Sequence, residues 1–174
     1  LAASIAGVTA VELVGTWDIT EKNAAPMRRL LDDNGLTCSS IIPDLFAHKQ
    51  WGQGALTSRD PAIRRKAVDC IKQAVDLCGG LNCKTLNLWP GQDGYDYCFQ
   101  GDFAQGHDRL VESLKACAEY GPSVSLALEY KCKEPRTHSY LARAADTLLL
   151  AMETGCPNVG VTIDTGHALA AGEN

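Results

Sequence analysis

Two carboxylates, a lysine and a histidine fall where an α/β protein does chemistry. Glu129 ends the run V-S-L-A-L-E, and Lys131 follows two residues later. Asp164 ends V-G-V-T-I-D, and His167 follows three residues on. Parallel strands present their C-terminal ends to metal and substrate, so polar residues there are candidates by position. Carboxylate oxygens suit hard divalent cations, and imidazole suits first-row metals. Gly166 permits a sharp turn that would fold His167 over the same mouth as Asp164. Lys131 would support an oxygen that gains negative charge, since an ammonium beside metal ions is driven towards a lower pKa. The plainer alternative is a solvated strand-end acid, with Glu129 and Lys131 as a surface ion pair.

A second group follows the third apolar run. Asn87 lies in that run, Trp89 closes it, and a turn built on Pro90, Gly91 and Gly94 carries Gln92, Asp93, Tyr95, Asp96 and Gln100. A tryptophan wall ringed by amides and carboxylates suits a polyhydroxylated ligand, whose C–H faces pack on the ring. Asn87, Trp89, Asp93, Glu129 and Lys131 are therefore the expected substrate contacts. Trp89 would otherwise cap the top of the core. His107 and His138 read as structural or surface residues.

The elements that must position these residues alternate strand and helix. Apolar runs predict strands over 8–14, 36–43, 83–88, 124–129 and 159–164. Gly7 reads as the stop of a helix over the first residues, and a short helix is expected over 26–34 with Gly35 as its stop. Asp60 and Pro61 open the best-marked helix, which Gly79 and Gly80 end. Further helices are expected over 102–120 and 139–154. Strands separated by helices imply parallel pairing with right-handed crossovers. No glycine-rich phosphate turn follows an early strand, which favours a (β/α)8 barrel over an open doubly wound sheet. A complete barrel takes about 250 residues. The 174 residues are thus read as one partial TIM-barrel domain, about strands two to six of eight.

Composition narrows the function classes. A formal charge of -5 supplies no basic stripe for nucleic acid. No apolar run approaches the roughly 18 residues of a membrane span. The first ten residues lack the basic start of a signal peptide, and a cytoplasmic protein is expected. The eight cysteines show no CxxC and read as buried or half-buried reduced thiols.

With these residues in place, the chain resembles the xylose isomerase-like TIM-barrel superfamily of sugar isomerases and epimerases. V-T-A-V-E-L-V-G, L-N-L-W-P-G-Q-D-G-Y-D-Y, L-E-Y-K and I-D-T-G-H-A carry the resemblance, and the second and fourth are the more telling. It implies a divalent cation, Mn²⁺ first among Mn²⁺, Co²⁺, Mg²⁺ and Zn²⁺, held by Glu129 and Asp164 with His167 at a second cation that Asp164 bridges. It also implies a small sugar substrate, a homo-oligomer, and Lys131, Asp164 and His167 in catalysis. Lys131 resembles the lysine of the E-x-K element of aldose isomerases. The loop E-Y-K-C-K-E-P-R-T-H does not reproduce the further Glu and Arg of the 3-epimerase branch. An L-rhamnose isomerase-like 1,2-hydride shift is therefore the expected reaction, with ketose 3-epimerisation or a non-catalytic sugar-binding barrel as alternatives. The aromatic residues Phe46, Trp51 and Phe99 place the expected subunit contact near residues 45–58, unless they pack on their own barrel mouth.

Overall fold

A computed structural model describes residues 1–173. Five parallel strands form one sheet: β1 (Ala10–Val14), β2 (Thr37–Ile42), β3 (Thr85–Leu88), β5 (Ser125–Glu129) and β7 (Val159–Thr162), adjacent in that order. Helices α1 (Ala24–Asp33), α2 (Pro61–Gly80), α3 (Phe103–Tyr120) and α4 (Ala144–Glu153) are the crossovers, and α5 (Thr165–Ala170) follows β7. The order matches a stretch of an incomplete (β/α)8 barrel, not the reversing order of a doubly wound sheet.

The strands form because Val, Ile and Leu alternate onto a helix-covered face. Leu13, Ile41, Leu86, Leu88, Leu126 and Leu128 are all buried there. Helix α2 supplies much of the opposing layer through Ala67, Ile71, Ala74, Val75, Leu77 and Cys78. Burying each large side chain of this set contributes about 1.5–3 kcal/mol. The start of α2 follows the sequence expectation: the Asp60 carboxylate accepts from Ala62 N–H at 2.8 Å, and Pro61 sits in the first turn. Asp102 caps α3 in the same way through Gln105 N–H.

Boundaries differ from the sequence expectation at several places. The first residues form only a 3-10 turn, Ala2–Ser4, although Gly7 does take the left-handed conformation. Helix α4 starts at Ala144 rather than near residue 139. Residues His138–Ser139 instead form β6, antiparallel to β4 (Gly94–Tyr95), so a small ribbon lies over the sheet's C-terminal end. Backbone pairing with loops explains the delay: Tyr140 N–H donates to Asp93 O, and Lys131 N–H to Leu141 O. Finally, β7 stops at Thr162, and Asp164 becomes the N-cap of α5.

Of the three aromatic residues expected near a subunit contact at 45–58, two pack on their own chain. Trp51 is 2% exposed, and its indole N–H donates to Asp44 O at 2.9 Å. Phe46 is half-buried between Trp17 and Trp89, at centroid distances of 5.8 and 5.0 Å. Both pack on their own chain, whereas Phe99 is fully exposed. All eight cysteines are free, and Cys98 alone is exposed. Among the described residues, no helix is long and apolar enough to cross a membrane.

Candidate metal centre

The register of the sheet decides which polar residues meet. Glu129 of β5 pairs with Thr162 of β7, and Asn87 of β3 pairs with Ala127, two residues before Glu129 on the same face. Asn87, Glu129 and Thr162 therefore project to one side at neighbouring strand ends. Thr162 Oγ1–H donates to Asn87 Oδ1 at 2.9 Å, and Asn87 Nδ2–H donates to Glu129 Oε2 at 2.7 Å. This relay occupies one oxygen of Glu129 and leaves Oε1 turned towards His167.

His167 is brought in by α5. Asp164 Oδ1 accepts His167 N–H at 2.8 Å, which closes the first turn and sets the histidine above the strand ends. The ring Nδ1 lies 2.8 Å from Tyr130 O, 3.4 Å from Glu129 Oε1 and 3.8 Å from Asp164 Oδ2. A carbonyl oxygen only accepts, so Nδ1, the ring nitrogen nearest both carboxylates, carries the proton and donates to Tyr130 O. One ligand atom each from Glu129, Asp164 and His167 lies within 4.8 Å of the others, and this trio is the one such group among the described residues. The residues fit a divalent cation by donor type and by the fixed pose of Glu129. The His167 N–H holds the Asp164 carboxyl below the usual carboxylate range, with the imidazole, Gly166 N–H and Lys131 assisting.

Lys131 shares a small cleft with Glu129, Trp89, Pro90, Ser139 and Leu141. Its ammonium lies 3.2 Å from Glu134 Oε2 and 5.5 Å from the centre of the Trp89 ring. Trp89 and Lys131 thus share that cleft with Glu129. Asn87 and Asp93, expected as substrate contacts, spend their polar atoms within the chain. Asn87 is 8% exposed and spends its amide on Glu129 and Thr162. Asp93 is 1% exposed, and its two oxygens take the N–H groups of Ala55, Leu56 and Thr57 and the Thr57 hydroxyl. The acid of this polar loop points into the chain and fastens the segment after β2. Sequence reasoning missed Thr162, although inward alternation along β7 with a hydroxyl opposite Glu129 was a usable signal.

The relay predicts a measurable effect on the cation. Asn87→Leu should lower Mn²⁺ affinity about 10–100-fold, the usual cost of losing a group that orients a ligand. Thr162→Val should lower it less, because Asn87 remains. Calorimetry on metal-stripped, folded variants reads both, and unchanged affinity in Asn87→Leu would mean that Glu129 holds its pose unaided.

The chain is 28% identical over 153 residues to a xylose isomerase of Paraburkholderia xenovorans (strain LB400), covering 85% of this chain and 35% of that protein. A D-psicose 3-epimerase structure in the presence of D-fructose superposes with TM-score 0.75 at 22% identity, covering 94% of this chain and 56% of that one. The structure of an IOLI protein with a bound zinc atom gives TM-score 0.73 at 15% identity, covering 95% and 56%. The chain therefore spans about a third of that curated relative and little more than half of these solved structures. The expected L-rhamnose isomerase-like 1,2-hydride shift is corrected here. Several of the matched structures are sugar 3-epimerases or similar to one, named for psicose, tagatose and ribulose, and they do not support the hydride-shift reading. All 174 residues match the description "Xylose isomerase-like TIM barrel", and the chain belongs to that family.

Proposed function

We propose that the full-length protein is a divalent cation-dependent ketose 3-epimerase acting on a free sugar by proton transfer. The observation that carries this reading is the Glu129–Asp164–His167 trio at the ends of β5 and β7, in a fold shared with 3-epimerases. Glu129, Asp164 and His167 would hold the cation, with Mn²⁺ the proposed ion for this mixed oxygen and nitrogen set. Such a cation would supply Lewis acidity, lowering the pKa of a carbon acid next to a carbonyl and offsetting developing negative charge on oxygen. The five strands of the sheet take positions two to six of the barrel in this reading.

The chain's own residues supply the rest. Glu129 removes the C3 proton, its direction fixed by the Asn87 amide at 2.7 Å. Lys131 sits in the same cleft and donates to the oxygen that gains charge, with Glu134 alongside at 3.2 Å to hold the ammonium. Trp89 and Phe46, tilted against each other at 5.0 Å, form an apolar wall for the C–H face of the sugar. Inversion at C3 also needs an acid–base group on the opposite face of the enediolate, which the rest of the barrel would provide.

Turnover of a ketose in D₂O tests the proposal. Deuterium is expected to enter C3 of both substrate and product pools, because a carboxylate exchanges its proton with solvent. An epimer formed without label at C3, or label at C1 alone, would sink the reading.

A further inference from the structure

Three thiols meet at the end of the sheet where the strands begin, opposite the carboxylate trio. Cys38 lies at the start of β2, Cys78 in the last turn of α2, and Cys83 in the turn that leads to β3. A bulge brings the first of them in. Val11 pairs with Cys38 and Glu12 with Ser40, so the extra residue Ser39 turns Cys38 and Ser40 to opposite faces of β2. Cys38 thereby packs against the core together with Val11, while the Ser40 hydroxyl donates to Glu12.

The end of α2 fixes the other two. Cys83 N–H donates to Cys78 O at 2.9 Å, which closes the helix and sets the two residues side by side. Their thiols then converge on one oxygen: Thr85 O accepts from Cys83 at 3.3 Å and from Cys78 at 3.8 Å. A disulfide needs Cα atoms about 4.4–6.8 Å apart, a span that one backbone hydrogen bond bridges. The Cys83 sulfur also takes hydrogen bonds from the thiols of Cys38 and Cys78, which makes it the common member of the cluster. These contacts pull the Cys83 thiol below its usual pKa and push the two donors above theirs. The thiolate is the attacking form in disulfide exchange.

Plain packing looks different elsewhere in the chain. Cys117 is a buried thiol whose pKa burial pushes up to about 12, with the Lys72 and Asp69 charges as the further influences. Cys78 and Cys83 are buried as well, but Cys38 beside them is half-buried and reaches solvent.

We propose that Cys38, Cys78 and Cys83 form a dithiol–disulfide site, in which a low-molecular-weight disulfide oxidises Cys83 to a disulfide with one of its two neighbours. The Cys83 sulfur attacks the small disulfide, whose S–S bond breaks; a mixed disulfide forms at Cys83 and one small thiol leaves. Cys78 or Cys38 then attacks the Cys83 sulfur, which forms the internal bond and releases the second small thiol. The two protein thiols are oxidised, the small disulfide is reduced to two thiols, and the two protein protons end on them. The product ties β3 to α2 or to β2, on the N-terminal side of Ile41 and Leu86, the pair that joins β2 to β3.

The site does not depend on the epimerase reading, and its test needs neither metal nor sugar. Full-length protein is reduced, freed of reductant and incubated with oxidised glutathione under native conditions. Remaining thiols are blocked by alkylation in denaturant, and the protein is digested without reduction for peptide mass spectrometry. The alkylated Cys83 peptide is expected to fall about tenfold, with Cys83 appearing in a link to Cys78 or to Cys38, and reductant is expected to restore it. Either link supports the site and identifies the element that Cys83 is tied to. Cys98→Ser, which removes the exposed thiol, should leave the link in place. Cys83 recovered as the free thiol, as a glutathione adduct or linked to any other cysteine overturns the proposal, as does loss of the link in Cys98→Ser.

Discussion

Glu129→Gln and Asp164→Asn are each expected to lower Mn²⁺ and Co²⁺ affinity by more than about a hundredfold, beyond the range for losing a supporting group. Each exchange removes one negative charge and one anionic oxygen from a trio whose ligand atoms lie within 4.8 Å. The substitutions are conservative in shape, which isolates the charge. An asparagine oxygen at 164 still accepts the His167 N–H that caps α5. A glutamine at 129 keeps an oxygen for the Asn87 amide. Acidification should act in the same direction. Asp164 is an acid whose folded pKa is depressed, so its anionic form persists below the usual carboxylate range and is lost only as pH falls through that lower value. Calorimetry on chelator-stripped protein gives the affinities. Glu134→Gln, which alters only the acid beside Lys131, serves as the control, and affinities within threefold of the parent in both variants would remove the metal centre.

How far this centre was legible depends on the kind of information each residue carries. Glu129, Asp164 and His167 were visible because a charge at the end of an apolar strand breaks the pattern that burial imposes. Helix α2 was equally visible, since its cap, its proline and its apolar face agree. The ribbon of Gly94–Tyr95 and His138–Ser139 was not. Two-residue strands carry no period, and their pairing joins segments more than 40 positions apart. Asn87 was seen as polar in a strand but given the wrong partner. A register links it to Glu129, and register between strands from distant parts of the chain is fixed by packing rather than by local sequence. The reaction class was the least legible. It had been read from the spacing of charges in one loop, and loops tolerate insertions that shift such spacing without moving the metal ligands.

The same loops are fastened by a residue whose removal should be the most damaging structural change in the chain. Asp93→Ala is expected to destabilise the protein by about 3–5 kcal/mol, since it strands buried backbone donors that each cost about 1–3 kcal/mol when unpaired. Those donors are the N–H groups of Ala55, Leu56 and Thr57, joined by the Thr57 hydroxyl. The segment cannot turn elsewhere for acceptors, because residues 54–58 are all buried. Gly54 is left-handed at φ +91, and an added Cβ there would press on the Thr57 hydroxyl at 2.8 Å. Asp93→Asn should cost less than Asp93→Ala. Burial pushes the Asp93 carboxyl above its usual range while the four donors pull it down, so an amide escapes the penalty of a buried charge and keeps one accepting oxygen. Its nitrogen would then face an N–H group, which keeps the exchange from being neutral. The consequence reaches the ribbon, since the Asp93 carbonyl also accepts from Tyr140 N–H at 3.1 Å. Urea denaturation of the two variants measures the order, and an Asp93→Ala loss below about 1 kcal/mol would show that the 54–58 segment is held by its apolar packing instead.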